Sequence, residues 1–457
     1  RDYHLINEEE RKQQKEFKFE CEEKISIITP LYNTPKDFLI QLIDSVEKQT
    51  YSNWELCLAD GSDLDHEYVR EICMKYMEAD NRIIYKKLEE NEGIVGNTNK
   101  AIQMATGTYL GLLDHDDILH ESALYECMKE IQNSADFIYT DEMKFEKKIE
   151  DSIDIVCKSG FGKDELRSHN YICHFVVFKK QLLDNMTEFY RREYEGSQDY
   201  DMVLRLTEKA EKIVHIPKIL YHWRVHQSST AENPESKLYA YDAGKRAIEE
   251  HLKRVDRPGK VRELYYRGFY HVTYKVKEKT GVTVCFVGNN KTDVKKCMKS
   301  IKKTAGKVKC QFIAVKSIKE VKEEQIRYEY VLFVDSSIRM ISKNWMREMI
   351  GICQFPENGV VGIQLINKKN QTIYHNGFLK GQKGYAFQGQ PVEAVGYFHR
   401  DELTQCVDGV TDKFMMMRTD LAKEVNCDEN TDEREICYTL RKKAKQNVVV
   451  PLIKAYV

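Results

Sequence analysis

Three short apolar segments early in the chain, Ile25–Ile28, Glu55–Ala59 and Tyr109–Leu113, each run straight into polar or aromatic residues. Those endings are Thr29-Pro30-Leu31-Tyr32-Asn33, Asp60-Gly61-Ser62 and Asp114-His115-Asp116-Asp117. Between the first two, Phe38, Leu39, Leu42, Ile43 and Val46 recur at helical spacing. Helices are also expected at Tyr68–Met77 and about 95–105, on either side of a strand Ile83–Tyr85. Strands alternating with helices predict right-handed crossovers and a parallel sheet. Ligands of such sheets bind beyond the carboxyl ends of the strands, so the three endings should converge on one rim. No GxGxxG follows the first strand, which argues against an ordinary dinucleotide fold.

At 457 residues the chain exceeds the size of one growing hydrophobic core, and two domains are the default. A formal net charge of -2 gives no global field to attract nucleic acid, and no nucleic-acid partner is expected. No apolar run is long enough to span a bilayer, and Arg1-Asp2-Tyr3 opens into a charged stretch unlike a signal peptide. The 13 cysteines are scattered without a CxxC pair, as free thiols in a reducing compartment would be. A cytoplasmic protein is the expectation.

Asp114 and Asp116 at the end of a buried strand suit a hard divalent cation that also holds a diphosphate. Acids after a strand also simply cap the next helix, and Asp116 or Asp117 has that alternative. A second cluster, Glu195 to Asp201 (EGSQDYD), places Asp199 and Asp201 at the entrance of an apolar helix. Acids are favoured there in any case, but beside a metal-diphosphate site one of them would take a proton from an acceptor hydroxyl. In Tyr221 to Ser229 (YHWRVHQSS), alternation puts His222, Arg224 and His226 on one side of an extended segment.

Taken in order, these elements resemble family 2 glycosyltransferases of the GT-A fold over about residues 24–230. The resemblance is carried by Ile27 to Asn33, Ser45 to Trp54 (SVEKQTYSNW), Asp60-Gly61-Ser62, Asn91-Glu92-Gly93 with Asn99, Leu113 to Asp117, Glu195 to Asp201 and Tyr221 to His226. It implies that Pro30 and Tyr32 wall the nucleobase slot, that Asp60 reads a uracil or thymine edge, and that Asn91 and Asn99 lie near ribose and phosphates. It implies Asp114 at the ribose, and Mn²⁺ or Mg²⁺ on Asp116 and Asp114 with His226 as a third ligand. Arg224 would steady the leaving group, and Asp199 would be the general base of an inverting reaction. Gln198 stands where many relatives have Glu. The implied partners are a UDP- or dTDP-sugar donor and a glycan acceptor. A lipid-linked acceptor would bring the enzyme to the inner membrane face as a peripheral visitor.

The second half repeats this texture in weaker form. Strands are expected at Val282–Val287, Gln311–Val315 and Val331–Val334, the last running into Asp335-Ser336-Ser337. Ser337 replaces the second acid, Lys316-Ser317 stands in place of the base-reading acid, and the donor loop is missing between Val315 and Asp335. Glu433, in the acidic run Asp428 to Glu435, takes the base position. The expected fold class is therefore α/β: a Rossmann-like GT-A nucleotide-sugar domain followed by a degenerate GT-A-like domain. The expected divisions are a helical arm at 1–23, a catalytic domain at 24–253, an extended linker at 254–280 and a non-catalytic domain at 281–457. Two other readings compete: a glycan- or nucleotide-binding scaffold without turnover, and a metal-dependent nucleotide hydrolase.

Overall fold

A computed structural model describes residues 5–226, 238–425 and 432–457. Arg1-Asp2-Tyr3, Gln227 to Ser229, and Asp428 to Thr431 of the acidic run lie outside those residues. The chain forms two compact units, one of Arg1–Phe161 and Asn170–His251, the other of Gly162–His169 and Leu252–Val457.

The first unit is built on strands β1 (Ile25–Leu31), β2 (Trp54–Asp60), β3 (Ile83–Lys87), β4 (Tyr109–Leu112), β5 (Ile118–Leu119), β6 (Phe137–Phe145), β7 (Ser152–Val156), β8 (Val176–Lys179) and β9 (Ile213–Arg224). Their order is β3-β2-β1-β4-β8-β6-β9-β5, with β7 on the side of β6. The β3-β2-β1-β4 part is parallel, as the alternation of strands and helices predicts. Beyond it the sheet is mixed, because β8 enters antiparallel between β4 and β6. Every residue of β1 and β2 is buried, the pattern of central strands covered on both faces.

Helix α1 (Glu8–Glu16) is a solvated arm with no buried residue, opened by a reciprocal Asn7–Glu10 capping box. Helix α2 (Lys36–Glu47) buries Leu39, Leu42, Ile43 and Val46 against the sheet, the spacing of one helical face. The polar residues after it are structural. Gln49 bonds the carbonyls of Ser45 and His120 and accepts from the Leu124 N–H, while the Arg82 guanidinium lies 3.8 Å over the Trp54 ring. The remaining helices of this part of the chain are α3 (Tyr68–Ala79), α4 (Gly93–Met104), α5 (Ala123–Gln132), α6 (Lys163–Leu166), α7 (Gln198–Lys209) and α8 (Leu238–Arg254).

The second unit contains α6 and a hairpin of β10 (Gly259–Glu263) and β11 (Tyr270–Tyr274). Its main sheet uses β12 (Gly281–Val287), β13 (Lys309–Val315), β14 (Tyr330–Asp335), β15 (Arg339–Met340), β16 (Asn358–Asn367), β17 (Thr372–His375), β18 (Gln405–Val407), β19 (Phe414–Arg418) and β20 (Gln446–Tyr456). The order β13-β12-β14-β19-β16-β20-β15 repeats β2-β1-β4-β8-β6-β9-β5 strand for strand, with the same parallel and antiparallel senses. Among the described residues no strand answers to β3. Its helices are α9 (Lys291–Thr304), α10 (Trp345–Cys353), α11 (Thr419–Glu424) and α12 (Glu433–Lys442).

The 162–169 segment is fixed in the second unit by a buried polar network. Asp164 accepts from Tyr274 Oη at 2.6 Å and Asn358 Nδ2 at 3.0 Å, Arg400 pairs with Glu165 at 2.7 Å, and Ser168 Oγ donates to the Thr404 carbonyl. Among the described residues no helix is long and apolar enough to cross a membrane.

In the first unit Glu55 joins β2 to its neighbours, accepting from Ser26 Oγ at 2.6 Å, Lys24 Nζ at 2.8 Å and both N and Oγ1 of Thr106. Burial works against its charge, but those donors hold its carboxyl down to about 2, from an ordinary value of 4.5. A carboxylate with a depressed folded pKa stabilises the fold above its unfolded pKa, and that contribution is lost as pH falls through the folded value. Glu55→Gln should therefore cost about 3 kcal/mol at neutral pH in urea unfolding. The gap from wild type should close between pH 4.5 and about 2.

Candidate active site

The parallel strands deliver Leu31, Asp60 and Leu112 to one end of the sheet, so the expected rim forms. Pro30 is buried within β1, and Tyr32 just beyond it is 46% exposed. Asp60 is fully buried: Oδ1 accepts from the Ser62 N–H at 2.8 Å, while Oδ2 accepts from Tyr85 Oη at 2.7 Å and Lys87 Nζ at 3.2 Å. Its carboxylate braces the strand-end loop. The reason is β3, whose Tyr85 and Lys87 reach over it. At Gly61 a Cβ would lie 2.6 Å from Asn97 Nδ2, so a larger residue would displace that amide.

Exposed Asn91 accepts from the Gly93 N–H and from Asn97 Nδ2, shaping the entry to α4. Asn99 is committed elsewhere. Its Nδ2 donates to the Tyr190 carbonyl and its Oδ1 accepts from the Tyr190 N–H, both at 2.9 Å. It clamps the connection ahead of α7.

The turn after β4 rests on Asp117, which is 1% exposed. Asp117 accepts from Tyr221 Oη at 2.5 Å and from the Arg224 N–H at 2.7 Å. Burial and the adjacent carboxylates of Asp116 and Asp114 push its carboxyl well above the ordinary range. Arg224, also 1% exposed, donates from Nε to the Asp116 carbonyl and from Nη2 to Gln41 Oε1, both at 2.7 Å. Its guanidinium lies 4.2 Å from the Phe38 ring centre and 4.5 Å from that of Phe145. Arg224 is thus a buried bracket beneath the turn.

His226 does meet Asp116, with Nε2 and Oδ2 2.8 Å apart. Asp114 instead points to His174, whose Nε2 is 3.5 Å from Asp114 Oδ2 and whose Nδ1 is 3.3 Å from Glu142 Oε2. Among the described residues no group of three or more His, Cys, Asp or Glu side chains is poised to hold a metal ion, so the expected three-ligand set is not assembled. Asp116 with His226 makes a two-ligand arrangement. That fits a hard divalent ion that takes its other positions from phosphate oxygens and water, and not a cage made of protein alone.

His174, Glu142 and Lys158 carry no motif in the sequence, yet they form the charged floor of the site. Lys158 Nζ bonds Glu142 Oε2 at 3.0 Å and the carbonyls of Ile172 and His174. Burial opposes both charges, but Lys158 and His174 hold the Glu142 carboxyl down at about 2. Asp114 and Glu142 in turn keep the His174 imidazolium protonated well above its ordinary range. The His174 ring stacks on Tyr221 at 4.8 Å. The signal that would have found these three residues is long-range pairing, which places His174 between Asp114 and Glu142.

Asp199 opens α7, and Asn170 Nδ2 donates to its Oδ2 at 2.9 Å. Burial raises its carboxyl above the ordinary value, the Asp114 charge adds to this, and the Tyr200 N–H and His174 oppose it. Asp201 is fully buried between Arg191 and Arg205, at 2.5 and 2.8 Å. Gln198 Oε1 accepts from the Gly196 N–H. Of the acids at the head of α7, Asp199 alone is left facing Asp114 and His174.

Residues 26–186 match the family model described as "Glycosyl transferase family 2". The chain is 31% identical to an uncharacterized protein, y4gI, of Sinorhizobium fredii, over 94% of this chain and 52% of that one. It is 25% identical to the O-antigen biosynthesis protein RfbC of Myxococcus xanthus, over 79% of this chain and 31% of that one. The chain thus spans about half, or less, of the length of these relatives. A crystal structure of S. aureus TarS 1–349 superposes with a TM-score of 0.41 at 20% identity, over 50% of this chain and 65% of that one.

Arg224→Met should lower unfolding stability by about 2–4 kcal/mol by stranding the Asp116 carbonyl and Gln41. A denaturant melt checks this, and an unchanged midpoint would refute the bracket.

Proposed function

Taking as premise that residues 26–186 make the first unit a glycosyl transferase family 2 domain, we propose that it moves a sugar from a UDP- or dTDP-sugar to a glycan hydroxyl with inversion. The observation that carries the reading is Asp199, held by Asn170 and raised by burial, opposite the Asp114–His174 pair. A carboxylate that binds its proton more tightly than usual, and sits in a polar rim, is suited to take the proton of an attacking hydroxyl. The hydroxyl then attacks the anomeric carbon from the face opposite the departing diphosphate, and inversion follows.

Asp116 and His226 would hold the divalent ion that the two-ligand arrangement fits. Bound there, Mn²⁺ or Mg²⁺ would offset the charge of the leaving nucleoside diphosphate. Pro30, Tyr32 and Asn91, at or beyond the strand ends, would meet the base and ribose. His174 orients Asp114 and keeps a positive charge beneath it. The similarity to a protein of O-antigen biosynthesis supports a cell-surface polysaccharide as the product. The second unit retains the fold while Ser337 and Lys316 replace the acids of the donor motifs, which supports a non-catalytic role for it.

Two experiments test this. Nucleoside diphosphate release from UDP-, dTDP- and GDP-sugars, with Mn²⁺, Mg²⁺ or EDTA, should reveal metal-dependent turnover of one donor. Asp199→Ala should lose about 10²–10⁴-fold of the rate, and Asp116→Ala should lose the metal response. Silence across the panel, without metal-dependent donor binding, would leave the scaffold reading in its place. Separately, removing the cation in His174→Gln takes away a charge that lowers the Asp199 pKa. The acidic limb of the pH–rate profile should therefore move to higher pH, and a shift to lower pH would refute Asp199 as the base.

A further inference from the structure

Residues 170–175 run into β8 without forming helix or strand, and they carry two side chains to the site. Asn170 Nδ2 donates to Asp199 Oδ2 at 2.9 Å. His174 Nε2 lies 3.5 Å from Asp114 Oδ2, and its Nδ1 lies 3.3 Å from Glu142 Oε2. One short connection thus supplies a partner to Asp199 and a partner to Asp114. Asn170 Oδ1 is buried and accepts no hydrogen bond among the described residues, so the aim of that amide depends on its backbone. The backbone bends at Cys173, whose φ of 34° a non-glycine residue keeps only where its surroundings impose it.

The bend is fastened by Lys158, just beyond β7. Its N–H donates to Asp141 Oδ1 at 2.8 Å, and its side chain is 1% exposed. Its ammonium donates to Glu142 Oε2 at 3.0 Å, to the Ile172 carbonyl at 2.6 Å and to the His174 carbonyl. Those two carbonyls flank Cys173, so both sides of the bend converge on one nitrogen. The three bonds use all three ammonium protons, and Glu142 balances a charge that burial would otherwise oppose. Cys173 Sγ extends the tie to the Asn170 carbonyl at 3.5 Å.

We propose that Lys158 is a positioning residue: by gathering the Ile172 and His174 carbonyls onto one ammonium, it holds Asn170 against Asp199 and His174 against Asp114. The proposal rests on the transferase reading of this site, in which Asp199 takes the acceptor proton and Asp114 lies on the donor side. It makes the mutual placement of those two acids depend on a residue that touches neither. With all three protons committed inside the protein, Lys158 acts on the reaction only through what it holds. The effect belongs to placement, so it should appear chiefly in turnover, where a misplacement of the order of 1 Å costs about 10²-fold.

The test compares Glu142→Gln with the double variant Lys158→Met/Glu142→Gln in the full chain. The double variant removes one buried charge of each sign, and so avoids the unpaired carboxylate that Lys158→Met alone would leave. Its crystal structure should show Asn170 Nδ2 and Asp199 Oδ2 parted beyond hydrogen-bond reach, about 3.5 Å. Nucleoside diphosphate release from UDP-, dTDP- and GDP-sugars with Mn²⁺ or Mg²⁺ should show kcat about 10–10²-fold below that of Glu142→Gln, a larger change than any in donor KM. Lys158→Gln/Glu142→Gln keeps a neutral donor at the bend and should fall between the two, which preserves the test where the methionine variant fails to fold. An intact Asn170–Asp199 bond without the ammonium, a kcat equal to that of Glu142→Gln, or a loss confined to donor KM would each overturn the proposal. Silence of the wild type across the donor panel would instead sink the transferase reading, and the positioning role with it.

Discussion

The geometry of the first unit's rim depends on one buried carboxyl. Asp117 ties the turn after β4 to the end of β9 through Tyr221 Oη and the Arg224 N–H, and the Arg224 side chain returns the tie to the Asp116 carbonyl. Burying an acid among acids is costly, and its raised pKa registers that cost. The return is rigidity, since Asp116 and His226 then lie on two elements that cannot move separately. Asp114 leaves the same turn in the other direction and meets His174, which is itself stacked on Tyr221. One tyrosine thus stands behind both branches.

The parallel half of this sheet was legible because local rules suffice for it. Apolar runs such as Ile25–Ile28, separated by the amphipathic face of α2, fix strand, helix and handedness without distant information. The mixed half was not legible, since β8 takes its place between β4 and β6 by pairing across long stretches of chain. The same division runs through the site. Asp116, Asp199 and His226 stand at strand and helix ends that the sequence pattern marks, while His174, Glu142 and Lys158 become a cluster only once the sheet has closed. Nor does residue type disclose the internal partners of Arg224, Asp60 and Asn99. An arginine among histidines, an acid at a strand end and an amide near a glycine turn look like ligand contacts, yet each is held by internal partners that sequence spacing does not reveal.

The second unit keeps the sheet of the first without its edge strand. Seven strands keep their order and sense, whereas the counterpart of β3 is absent among the described residues. In the first unit β3 supplies Tyr85 and Lys87, the groups that brace Asp60. At the matching place in the second unit stands Lys316, which is exposed. The sheet survives such losses because its core depends on apolar packing, such as Phe333, Val360, Met415 and Val449, and not on the rim.

The 162–169 segment lies between β7 and β8 in the chain but takes its partners from the second unit: Tyr274, Asn358, Arg400 and Thr404. A ribosome delivers residues in order, and roughly 5–20 of them each second. The segment must therefore wait, from emergence until more than two hundred further residues have been made, before Thr404 can receive Ser168. Asn170, which holds Asp199, follows it directly. Birth of the polypeptide thus leaves this segment unpartnered until the later half has been made, and a message truncated after His251 would encode it with those partners missing.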